Sequence, residues 1–102
     1  MKLSDITTEK DFISTVIDYA QFRGWIIYHQ FEQAHYARRI GQGFPDLVLV
    51  RNRDVAFSEL KSENGMMSIY QSLWAKYLGE CGTYTYHLWR PSDWEEIIER
   101  LR

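Results

Sequence analysis

Apolar residues recur at helical spacing between residues 8 and 23, where Phe12, Ile13, Val16, Ile17 and Ala20 form one stripe. Thr8 offers a capping hydroxyl ahead of the stripe and Gly24 a stop behind it. The period then changes. Residues 25–31, Trp-Ile-Ile-Tyr-His-Gln-Phe, are β-branched and aromatic and predict a strand. Residues 32–44 hold two glycines and no clean period, which predicts a loop. Two strand-like runs follow, 46–51 and 55–61, joined at Asn52-Arg53-Asp54 in the manner of a β-hairpin. Ser68 and Gln71 have capping-box spacing and open a helix running to about Cys81, with Gly82 at its C′ position. Residues 83–89 alternate as a strand, and Pro91 to Glu95 open a last helix with a second capping box. The predicted order is α-β-β-β-α-β-α, a single-domain α/β fold with helices flanking a mixed sheet.

Composition narrows the class. At 102 residues, 45% hydrophobic and 25% charged, the chain has room for one globular core. Aromatic residues make up 16%, including four Trp and seven Tyr, which implies a dense small core or an aromatic surface that meets a partner. A core of this size stabilises a lone domain only modestly, so a dimer is compatible with it. Cys81 is the single cysteine, which excludes an intrachain disulfide framework and favours a reducing compartment. It is read as a small hydrophobe at a helix end rather than a catalytic thiol. No apolar run approaches the ~18 residues of a membrane helix, and the first residues lack an apolar signal segment. The expectation is a cytoplasmic protein without membrane attachment.

Charge does not decide what the chain binds. The formal net charge of −2 argues weakly against a nucleic-acid partner. Its distribution is uneven, with Asp93, Glu95, Glu96 and Glu99 in the tail and Arg38, Arg39, Arg51 and Arg53 flanking the middle. An enzyme that gathers carboxylates around a metal also loses positive charge at its centre.

Candidate chemistry follows from strand period. Along 55–61, Val55, Phe57, Glu59 and Lys61 point to one side, and Ala56, Ser58 and Leu60 to the other. Antiparallel pairing across the hairpin brings Asp46, which follows Gly43-Phe44-Pro45, beside Glu59 and Lys61. Two carboxylates that close repel unless a proton or cation lies between them. A hard divalent ion such as Mg²⁺ suits oxygen ligands, polarises a phosphate and acidifies water, while a neighbouring ammonium stabilises charge on phosphorus oxygens. Spacing alone is equally served by a salt bridge at the hairpin end.

Gly-Phe-Pro-Asp at 43–46, Glu-Leu-Lys at 59–61, then Ser68, Gln71 and Trp74, resemble the VRR-NUC family, virus-type replication-repair nucleases of the PD-(D/E)xK superfamily. The similarity spans nearly the whole chain. It implies that Asp46, Glu59 and the main-chain oxygen of Leu60 hold Mg²⁺ or Mn²⁺, and that Lys61 is the catalytic lysine. Glu9 matches the acidic residue such nucleases carry on the first helix, which the resemblance adds to the metal set. Its place on the stripe of Ile13, Val16 and Ala20 agrees, although first-turn dipole compensation would also explain it. Gln71 matches a motif glutamine near the site and equally the closing residue of a capping box. Stand-alone members of the family imply a homodimer that hydrolyses branched DNA such as Holliday junctions, in a bacterial or phage-infected cell. Symmetric cutting of a four-way junction needs two active sites, and one chain supplies one. Alternative readings are a flap- or nick-directed nuclease, a nuclease subunit of a larger assembly, a catalytically silent nucleic-acid-binding module, or a structural domain.

The remaining residues carry weaker readings. His35, Tyr36, Arg38 and Arg39 fall in the loop before the site, where arginines would grip phosphates and Tyr36 would stack on a base; an ordinary solvated loop is the alternative. His29, His35 and His87 lack zinc-ligand spacing. Tyr70, Trp74 and Tyr77 sit near one another on the second helix, as core residues or as a dimer contact. Lys76 and Arg90 are read as surface charges.

Overall fold

The computed structural model describes residues 8–30, 41–82 and 84–102. Helical spacing near the start of the chain becomes α1 (Glu9–Phe22), and Thr8 Oγ1 accepts the Asp11 N–H at 3.1 Å as its cap. Gly24, with φ of 86°, turns the chain out of the helix. Strands β1 (Ile26–His29), β2 (Leu47–Arg51) and β3 (Asp54–Leu60) follow in antiparallel sequence. Then come α2 (Ile69–Gly79), β4 (Tyr86–Trp89), a short 3₁₀ turn over Pro91–Asp93 and α3 (Trp94–Leu101). The sheet order is β1-β2-β3-β4, with β4 parallel to β3. The expected mixed-sheet α/β architecture is therefore present.

Differences lie at the ends of elements. The predicted strand over 25–31 begins at Ile26, because Trp25 leaves the ladder for the core, its indole N–H donating to Leu101 O at 2.9 Å; Phe31 lies outside the described residues. Of the strand predicted over 83–89, Tyr84 and Thr85 form a turn and Tyr86–Trp89 the strand, while Thr83 lies outside the described residues. The second helix ends at Gly79, with Glu80 as its C-cap, so Gly82 lies one position beyond C′. Cys81 is an exposed free thiol rather than a covered hydrophobe. Ahead of α3 the expected second capping box gives way to the 3₁₀ turn, where the Asp93 carboxylate instead accepts the Arg90 N–H at 2.9 Å. Most of the predicted loop over 32–44 lies outside the described residues.

The core occupies one face of the sheet. Phe12, Val16 and Ala20 of α1 and Ile97 and Leu101 of α3 cover Leu47, Leu49, Ala56, Leu60 and Trp89. Tyr19 and Trp94 join the two helices edge to face, at 5.7 Å between ring centroids. The opposite face carries α2, where Phe44 packs edge-on against both Phe57 and Trp74. Strand alternation divides the residues of β3 accordingly. Ala56, Ser58 and Leu60 serve the core, while Phe57 and Glu59 face the α2 layer.

Arg51 belongs to the frame rather than to any binding surface. Its guanidinium donates to Arg23 O at 2.9 Å, Leu101 O at 3.2 Å and Arg102 O at 3.1 Å, closing the C-terminal ends of α1 and α3 together. It also lies 4.5 Å from the Trp25 ring centroid. Helix C-termini present unpaired carbonyls and a partial negative charge, which a cation satisfies. Replacing Arg51 with Ala is expected to lower stability by about 1–2 kcal/mol, and Lys, a single point donor, to restore less than half of it. Urea denaturation checks this; an unchanged midpoint for the Ala variant would show that the three contacts contribute nothing.

Candidate active site

The hairpin register brings the mouth residues together. Leu47 pairs with Ser58, so the next step outward sets Asp46 opposite Glu59. Asp46 Oδ2 accepts the Leu60 N–H at 2.8 Å, a side-chain bond that continues the ladder past the last backbone pair. Because N–H and C=O of a residue in extended chain leave on the same edge, the Leu60 carbonyl also faces the Asp46 side. Lys61 follows β3 directly, fixed by its N–H on Trp89 O at 3.0 Å. Its Nζ stands 3.5 Å from Glu59 Oε2.

Glu59 is buried, with only 2% of its side chain exposed. Its Oε2 accepts from Gln71 Nε2 at 2.8 Å, and its Oε1 is buried with no hydrogen-bond partner. Burial raises its pKa to about 7, the Asp46 charge adds to the rise, and Lys61 opposes it. Burial also raises Asp46, against the pull of the Leu60 N–H. Tyr86 shares this environment. Burial and then the two carboxylates hold its phenol protonated, while its hydroxyl donates to Met67 Sδ at 3.7 Å.

Gln71 fills both of its predicted places. Its Oε1 accepts the Ser68 N–H at 2.7 Å and its N–H donates to Ser68 Oγ at 3.1 Å, completing the capping box. The amide nitrogen left over reaches Glu59. Gly43 lets this happen. Its φ is +83°, and a Cβ there would stand 2.5 Å from Tyr70 C and 2.6 Å from Gln71 N. The first turn of α2 therefore rests on the bare backbone of the Gly43-Phe44-Pro45-Asp46 segment.

Glu9 reaches the site from the other layer. Its Oε1 accepts the Ser62 N–H at 3.3 Å, and its charge raises both Asp46 and Glu59. Asp46, Glu59, Lys61, Gln71, Glu9 and the Leu60 main chain thus meet at one end of the sheet. His35, Tyr36, Arg38 and Arg39 lie outside the described residues.

Three nearby residues had no sequence signature. His29 lies close enough for its charge to lower the Asp46 pKa, a proximity produced by β1 pairing with β2. Tyr86 enters because β4 runs beside β3. Arg90 is no loose surface charge. It donates to the carbonyls of Ser62 at 2.7 Å, Glu63 at 3.2 Å and Gly65 at 2.7 Å, and so shapes the turn that follows Lys61.

The donor set fits a hard divalent cation. Among the described residues no three His, Cys, Asp or Glu side chains close into a cage by themselves. Mg²⁺ does not need one, since it keeps several waters and takes one or two carboxylates. An unpartnered carboxylate oxygen, two carboxylates held above their ordinary pKa by burial, and a main-chain oxygen beside them are suited to such an ion. No family model, curated protein or solved structure matches the chain. Among the described residues no helix is long and apolar enough to cross a membrane.

Two stability measurements probe the arrangement. Glu59→Gln removes a desolvated charge and is expected to stabilise the metal-free protein by about 1–3 kcal/mol at pH 8. The folded pKa lies above the unfolded one, so the cost of Glu59 is complete above about pH 7 and fades as pH falls toward its ordinary value. The gain should shrink accordingly between pH 8 and pH 5 in thermal melts with EDTA; a constant gain would rule out desolvation as its source. Gly43→Ala should cost at least about 2 kcal/mol, from both the positive φ and the approach to α2. A neutral result by the same melts would mean that α2 does not rest on this backbone.

Proposed function

We propose that the chain is a metal-dependent DNA endonuclease of the VRR-NUC kind, hydrolysing phosphodiester bonds with Mg²⁺ or Mn²⁺ in a cytoplasmic setting. The observation that carries this reading is the convergence of Asp46 and Glu59 at the hairpin mouth, where one Glu59 oxygen is buried without a partner and the other lies 3.5 Å from the Lys61 ammonium. Burying a carboxylate in that state costs stability, and a bound cation is the ordinary compensation.

Glu9, Asp46, Glu59 and the Leu60 carbonyl would hold the ion. When bound, the ion supplies Lewis acidity toward the phosphate and acidifies water. The remaining steps belong to the protein. The Leu60 N–H orients Asp46, and Gln71 fixes the rotamer of Glu59. Lys61 places its ammonium where charge builds on the non-bridging oxygens in the transition state, or orients the attacking water. Such stabilisation depends on fixed geometry, and Lys61 is only 14% exposed.

Branched DNA, with a four-way junction as its model, is the proposed substrate, and a homodimer the acting form. Each chain supplies one site, and paired cuts across a junction require two. Arg38 and Arg39 are proposed phosphate contacts, with His35 and Tyr36 beside them in the chain.

Cleavage of labelled four-way junction, flap, nicked and linear DNA, with Mg²⁺, Mn²⁺ or EDTA, tests the reading. The wild type should cut the junction with metal and be silent in EDTA. Asp46→Asn and Lys61→Ala should each lower the rate at least about 100-fold while binding survives. Preference for flap or nick would redirect the substrate assignment. Binding without cleavage in every metal would leave a silent nucleic-acid-binding module, and cleavage surviving both substitutions would place the chemistry elsewhere.

A further inference from the structure

The second helix carries more apolar surface than the described residues cover. Gln71, Trp74, Ala75 and Leu78 are half-buried on its inner side, and none of its eleven residues is fully buried. A second apolar stripe runs along the outside. Tyr70, Leu73 and Tyr77, at i, i+3 and i+7, are 46%, 45% and 59% exposed, with Ile69 beside them at 73%. Tyr70, Leu73, Trp74 and Tyr77 line an apolar cleft of about 180 Å³ against Gln42. Lys76 is the single charged residue in the helix.

We infer that this stripe is the contact between two copies of the chain, α2 packing on its partner's α2 about a two-fold axis. A helix apolar on two sides is built to be covered on both. The make-up of the stripe, rich in tyrosine and aliphatic residues and nearly free of charge, is that of the core of a protein interface. Nucleic-acid surfaces are strongly basic, and this one is not. The size also fits. Ile69, Tyr70, Leu73 and Tyr77 leave on the order of 450 Å² of surface open per copy, more than half of the ~800 Å² per partner of a standard interface.

Symmetry selects a second copy over an unlike partner. An isologous contact requires a patch that complements itself. A stripe with Leu73 between Tyr70, three residues before it, and Tyr77, four after it, presents a similar order of knobs in both directions when two helices run antiparallel. Leu73 then meets its own counterpart at the axis. Gln71, on the same helix, donates to Glu59, so dimer contact and site share one rigid element. The inference rests on the homodimer of the proposed function and assigns its surface; it does not assume hydrolysis.

Sedimentation of the full chain without DNA tests it. The wild type should be dimeric at micromolar concentration, and Leu73→Glu and Tyr77→Glu should each weaken association at least about 100-fold with an unchanged circular dichroism spectrum. Should the charged variants unfold, cross-linking decides. In a Cys81→Ser background, Leu73→Cys should form an interchain disulfide under mild oxidation, and Glu99→Cys should not. A monomeric wild type overturns both the dimer and this surface, leaving hydrolysis to its own assay. A dimer that persists in both folded charged variants, or that gives no Leu73→Cys cross-link, overturns the surface alone.

Discussion

Glu59 is a carboxylate taken almost wholly out of water at the end of a strand whose neighbour on the same face, Phe57, is apolar, and its surroundings answer that burial. A charge in such a place needs hydrogen bonds, a counter-charge or a proton. One oxygen has the Gln71 amide and Lys61 nearby, and the other has nothing. The partners come from separate elements: Lys61 from the strand end, Gln71 from α2, Asp46 from across the hairpin. Each is held by a bond that does not involve Glu59. Leu60 holds Asp46, Trp89 holds the Lys61 backbone, and Ser68 holds Gln71. The site is therefore positioned before any ligand arrives, which is what electrostatic catalysis requires.

That independence has a local origin in the chain. The capping box at Ser68 and Gln71 stabilises the start of α2 by itself, and it fixes the glutamine side chain with one nitrogen to spare. Pro45 and Phe44 carry the chain from Gly43 into β2, and the missing Cβ of Gly43 allows α2 to settle within van der Waals reach. Phe44 then packs against both Phe57 of the sheet and Trp74 of the helix. The residues between Gly43 and Asp46 thus act as a spacer that sets the height of Gln71 above Glu59.

Much of this was legible in the sequence, and the limits have physical causes. Element order and the hairpin follow from periodicity, because a period of two or of 3.6 is a local property. The convergence of Asp46 with Glu59 and Lys61 follows too, since a short turn leaves one sensible register. Gln71 and Glu9 were legible as candidates with two explanations each. For Gln71 both proved compatible, because the two ends of one amide serve two partners. His29 and Tyr86 were hidden because their proximity depends on sheet order, which period does not encode. Arg90 was hidden for another reason. Its partners are main-chain carbonyls, and any sequence supplies those. The strand start beside Trp25 was set by packing rather than propensity, as is usual for short strands.

Stability and the candidate site pull on this small fold in opposite directions. Its tight core lies on one face only, where α1 and α3 meet the sheet. The other face pairs a half-buried helix with a desolvated carboxylate, which is a costly arrangement for a chain of 102 residues. Arg51 and Arg90 offset part of that cost by tying loose ends with main-chain bonds, one at the helix termini and one in the turn after Lys61. Glu9 adds a link across the layers, since α1 lies on the core face while its first residue bonds the turn that bears Lys61. Both helical layers therefore touch the same end of the sheet, one through Glu9 and one through Gln71. A ligand cation at Asp46 and Glu59 would strengthen the point where the layers meet, and a second copy on α2 would brace the layer that packs least tightly.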